Sequence, residues 1–76
     1  MDHNEWEKNF LHNVAWLRGR WGVSKKEMAQ KLGIGLYSLN KMECGELPTK
    51  LGVEVLFRID REFGIDPQTL LEQELR

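Results

Sequence analysis

Apolar residues recur along the first third of the chain at helical intervals. Trp6, Phe10, Val14, Leu17 and Trp21 are spaced 4, 4, 3 and 4 apart, which sets all five on one stripe of an α-helix. The stripe is read as core along its whole length. Asn4 stands ahead of it as a capping residue, with Glu7 three positions on completing a capping box. Gly22 follows as a left-handed stop. Trp16 points away from the stripe, either covering a rim of the core or meeting a second copy.

The pattern then shortens. Ser24-Lys-Lys-Glu27 is a second capping box, opening a short helix with Met28, Ala29 and Leu32 inward. Gly33 ends it. After two residues another short helix turns Leu39 and Met42 inward and stops at Gly45. Residues 46–52, with Pro48, form a loop. Val53, Leu56, Ile59 and Phe63 mark a fourth helix closed by Gly64, with Asp60 on its rim. Asp66-Pro67 is an N-cap and first-turn pair for a fifth helix, which faces Leu70, Leu71 and Leu75 inward. No stretch alternates with the period of a strand. Residues 1–76 are therefore expected to form one compact all-α domain of five helices.

Charge adds an asymmetry. The net charge is −1, but its parts differ. Residues 1–24 balance, with Lys8, Arg18 and Arg20 against Asp2, Glu5 and Glu7. Residues 25–50 carry five lysines against Glu27, Glu43 and Glu46, a surplus of +2. Residues 51–76 set three arginines against six acids, a deficit of −3. The single cysteine, Cys44, rules out an internal disulfide and fits a reducing compartment. No apolar run approaches eighteen residues and the start of the chain is polar, so neither a span nor a signal peptide is expected. The expected compartment is the cytoplasm.

The segment Ser24–Gly45 carries the most specific information. Two short helices flank the break Gly33-Ile34-Gly35, and such helices cross steeply. The first needs a small side chain at the approach, Ala29, and the turn needs a residue that tolerates positive φ, Gly33. The second helix then projects and has the width a DNA major groove admits. Leu17-Arg18, Ser24-x-x-Glu27-Met28-Ala29-Gln30-Lys31-Leu32-Gly33-Ile34, Leu39-x-x-Met42-Glu43-x-Gly45, Phe63-Gly64-Ile65-Asp66 and Leu70-Leu71 together resemble the XRE/Cro/phage-repressor family of helix-turn-helix domains. The likeness spans roughly residues 10–71. It implies a lambda-repressor-like fold with the helix-turn-helix unit at 24–45, in helices 2 and 3.

The resemblance further implies a transcriptional regulator of double-stranded DNA, with 35–44 as its recognition helix. Leu36, Tyr37 and Lys41 fall where relatives meet base edges, and Lys25 where they meet a phosphate, at a helix N-terminus that favours anions. Asn40 and Lys50 fall where further backbone contacts are made, and with leucine and tyrosine at 36 and 37 direct readout would rest largely on Lys41 and Asn40. Arg18 and Glu43 match a pair that ties the first helix to the recognition helix. Leu36 and Tyr37 replace residues that are often polar in relatives. Their own chemistry leaves DNA contact, protein contact and partial burial open. Leucine cannot read a hydrogen-bond code, though it can pack on a thymine methyl. The loop after Gly45 is about three residues longer than is usual in the family.

Two functions follow. The first is sequence-specific binding by a homodimer, with recognition helices in successive major grooves about 34 Å apart. The second is a protein-interaction module on the same fold, which the negative net charge, Leu36, Tyr37 and Trp16 favour. His3 and His12 lack the company of a metal site, Cys44 lacks a neighbouring base, and no phosphate loop or carboxylate pair is present. No enzyme, cofactor or small-molecule substrate is expected.

Overall fold

The structure, a computed structural model, describes residues 4–48 and 51–76, with the side chain of Asn4 excepted. Among the described residues there are five helices and no strand: α1 (Asn4–Trp21), α2 (Lys25–Leu32), α3 (Leu36–Glu43), α4 (Glu54–Phe63) and α5 (Pro67–Glu72). None is long and apolar enough to cross a membrane. The expected all-helical architecture is present.

Local chemistry sets most of the boundaries. Ser24 Oγ accepts from the Glu27 amide at 3.1 Å while Glu27 Oε1 accepts from the Ser24 amide at 3.4 Å, so two otherwise orphaned donors at the start of α2 are satisfied reciprocally. At α5, Asp66 Oδ2 accepts from the Thr69 amide and its Oδ1 from the Thr69 hydroxyl at 2.6 Å, with Pro67 in the first turn. These two bonds hold the Asp66 carboxyl below its ordinary pKa of 3.8, because both favour the charged form. α1 begins at Asn4; the side chain from which its cap is expected lies outside those described, and His3 lies outside the described residues.

Gly33 is required by its backbone. Its φ is +71°, which an L side chain adopts only with strain. A Cβ there would also lie 2.8 Å from the Arg58 guanidinium carbon, so the flexible end of one α4 side chain rests over the turn between α2 and α3.

Phe10, Val14 and Leu17 from α1, Met28, Ala29 and Leu32 from α2, Leu39 and Met42 from α3, Val55, Ile59 and Phe63 from α4, and Leu70 from α5 form one buried cluster. Three expectations need correction. Trp6 and Trp21 are 40% and 57% exposed, so the apolar stripe of α1 is core only at its centre. An 18-residue helix is about 27 Å long, and its ends overhang the layer that covers it. Trp21 instead meets Phe63 edge-on, with ring centroids 5.5 Å apart. Val53 is 70% exposed because the chain enters α4 through it. Val55 takes the inward place, and Leu56 is only half-buried. Leu75 packs against the core from beyond α5, which ends at Glu72. Trp16 is half-buried against the core and Asp60 is exposed.

Among the described residues, one polar side chain is completely buried: Asn13. Its Nδ2 donates to the carbonyls of Leu70 and Gln73, both at 2.7 Å, and its Oδ1 accepts from the Leu75 amide at 2.8 Å. Asn9 Nδ2 donates to the Leu71 carbonyl at 3.0 Å, and His12 Nε2 lies 3.0 Å from the Leu75 carbonyl. At intervals of three and four residues, these side chains share one edge of α1. They supply partners for the carbonyls that α5 leaves open at its C-terminus.

Candidate functional site

α3 is built with two unlike sides. Leu39 and Met42 are buried, at 0% and 2% exposure, and fix which way the helix faces. At 100° per residue, Leu36, Tyr37, Asn40, Lys41 and Cys44 then fall within an arc of about 140° on the other side. Leu36 is 48% exposed and Tyr37 73%. Asn40 and Cys44 are exposed too, and Lys41 is half-buried. Leaving Leu36 and Tyr37 in water forgoes the gain of burying them.

An ionic brace sets α3 against α1. Arg18 Nε donates to Glu43 Oε2 at 2.6 Å and Arg18 Nη2 to Glu43 Oε1 at 3.3 Å, a two-pronged contact. Arg18 Nη1 also donates to the carbonyl of Val23 at 3.4 Å, so one guanidinium holds α3 and the segment leading into α2. The Glu43 side chain is largely buried, and the match to Arg18 offsets part of the cost of desolvating it.

Lys25 joins this network. Its Nζ lies 3.8 Å from Glu43 Oε1 and donates to Asn40 Oδ1 at 3.2 Å. Lys41 holds its ammonium 5.4 Å from the centroid of the Tyr37 ring and 3.8 Å from Glu46 Oε2, a cation–π contact on one side and a weak ion pair on the other. No family model, no curated protein and no solved structure matches this chain. The site must be read from its own residues.

Of the six residues expected to meet DNA, Leu36, Tyr37, Asn40 and Lys41 share the outward face of α3, and Lys25 reaches that face from α2. Lys50 lies outside the described residues. Arg18 and Glu43 form the expected pair. Two features were not anticipated. Cys44 sits on the outward face at the C-terminal end of α3, a position that its spacing of four from Asn40 already encodes. Glu46 accompanies Lys41 from the following loop.

A second surface is of another kind. Trp6 and Phe10 of α1, Leu47, Pro48 and Leu51 of the loop, Val53 and Leu56 at the start of α4, and Leu71 line an open groove of about 750 Å³. Phe57, one turn beyond Val53, is 63% exposed. Among the described residues, Glu72 is the one titratable side chain in its lining. There is, among the described residues, no group of three or more His, Cys, Asp or Glu placed to hold a metal ion.

Proposed function

We propose that this chain binds double-stranded DNA as a small transcriptional regulator, using a helix-turn-helix formed by α2 and α3 with α3 in the major groove. The observation that carries the reading is the division of α3. Its inner residues are locked in the core and braced through Glu43, while its outer residues present apolar, amide and cationic groups together. A groove about 12 Å wide accepts such a helix, and a braced helix keeps its side chains in register with the bases.

Lys25, Lys41 and Lys50 supply the cationic contacts. Three phosphates per subunit give a salt slope of about −3 for each monomer bound, at about −0.9 per phosphate. Sequence preference comes from Leu36, Tyr37, Asn40 and Lys41, and a homodimer doubles the reading over two half-sites. The test is a titration of labelled random-sequence duplex across a range of salt, combined with alkylation of Cys44. DNA lodged against α3 shields that thiol, so bound protein should react several-fold more slowly than free protein. Equal alkylation rates at saturating duplex, or no binding at any salt, would overturn the reading.

The groove between α1 and the start of α4 favours the second reading, a protein-interaction module, since an apolar cleft with Trp6 at its mouth is suited to a partner's side chains. Trp6→Ala separates the two. It leaves duplex affinity intact if α3 is the working surface.

A further inference from the structure

We infer that a second copy of this chain closes the groove between α1 and the start of α4. In this two-fold pairing, Phe57 of each copy enters the groove of the other, and Arg61 meets the Glu72 carboxylate in its wall. The pairing gives the homodimer of the reading above a surface, and it does not require DNA.

The groove defines what it can hold. Leu47, Leu51, Leu56 and Leu71 make its wall apolar, and Glu72 places one carboxylate there. That carboxylate accepts from Gln68 Nε2 at 3.5 Å. Among the described residues, no Lys or Arg forms an ion pair with it. The complementary occupant is an apolar side chain with a cation beside it. This chain carries one on its own surface. Phe57 is 63% exposed, and Arg61 follows it by four residues in α4, so the two are neighbours on one face. The Arg61 side chain is 66% exposed, and its Nε lies 3.8 Å from Glu62 Oε2, which leaves the other guanidinium donors open.

Hollow and protrusion also adjoin. Val53 and Leu56 belong to the groove wall, and Phe57 comes next along the chain. When both halves of a contact lie on one face, a two-fold axis lets each copy give and receive it, and assembly closes at two. Tyr37 with Lys41 on α3 has similar chemistry, but docking it in the groove would join unlike faces and build a chain that does not close. Trp6, Val53 and Phe57 together leave on the order of 300 Å² of surface open per copy. With the polar rim, two copies would bury on the order of 1,000 Å², at the low end for a specific interface, where transient pairs lie. The dimer should therefore assemble in the micromolar range.

The experiment is sedimentation equilibrium of the full chain, without DNA, from micromolar to millimolar concentration. The parent should pass from monomer to dimer mass and go no further. Phe57→Ser removes the protrusion and should weaken pairing about tenfold. Arg61→Glu and Glu72→Arg each set like charges against one another and should weaken it several-fold. All three positions are exposed, and parental helicity checks that each variant folds. The deciding measurement mixes the two charge variants. Across a two-fold axis, each meets the opposite charge in the other at both contacts, so the mixture should pair at about parental strength although neither variant does so alone. The inference is overturned if the parent stays monomeric throughout, if it grows beyond a dimer, if Phe57→Ser pairs like the parent, or if mixing restores nothing. With no duplex present, those results leave the DNA-binding reading standing. A chain that pairs but binds no duplex removes that reading and leaves this one.

Discussion

The first helix grips the rest of the molecule in two places, and the grips differ in kind. Arg18 holds α3 through a charged pair that water still reaches, with 30% of its side chain exposed. Asn13 holds the C-terminal segment through three neutral hydrogen bonds with no exposure at all. A charged pair at the edge of solvent contributes modestly and can be retuned by its neighbours. A sealed amide leaves its partners orphaned if it is lost. The adjustable grip lies under the candidate site, and the unforgiving one lies away from α3.

Substitutions can press on this contrast. The largest effect is expected from Asn13→Ala, which strands two carbonyls and an amide and should cost about 3 kcal/mol in chemical denaturation. A loss under about 1 kcal/mol would show that the clasp is dispensable. Next comes the brace. A double-mutant cycle on Arg18→Met and Glu43→Gln should give a coupling of about 1 kcal/mol, between exposed and buried pairs; no measurable coupling would mean the brace does not orient α3. Ser24→Ala should cost about 1 kcal/mol through the lost cap of α2, and a larger loss would show that the cap also holds α3.

The smallest effect concerns acid. The folded-state pKa of Asp66 is depressed, so its contribution is present above the unfolded value of about 3.8 and disappears as pH falls through the lower folded value. Asp66→Asn keeps a good capping residue. It should match the parent near neutrality and lose less stability than the parent over that acid range. Parallel acid limbs for the two proteins would rule the group out.

Where structure is governed by neighbours in sequence, it was legible. The capping box at Ser24 and Glu27, the turn at Gly33, and Asp66-Pro67 depend on residues a few positions apart, and each stands where the pattern put it. Periodicity told which side of α1 faces inward but not how far its cover extends, so Trp6 and Trp21 were misplaced. It could not reveal Asn13. A polar residue next to an apolar stripe reads as surface unless one knows that backbone 57 to 62 residues away arrives to meet it. The outward face of α3 was legible as a set of positions. Its internal wiring, Lys25 to Asn40 and Lys41 to Tyr37, depends on how side chains settle in space.

The clasp also bears on how this polypeptide can be trimmed. Cutting after Glu72 would spare every helix yet strip away the Leu75 amide and the Gln73 carbonyl, leaving Asn13 half-matched inside an otherwise complete domain. Truncation after Glu74, which removes the Leu75 amide, should therefore destabilise the domain far more than truncation after Leu75. Residues 73–76 act as a latch, although they have no regular structure of their own.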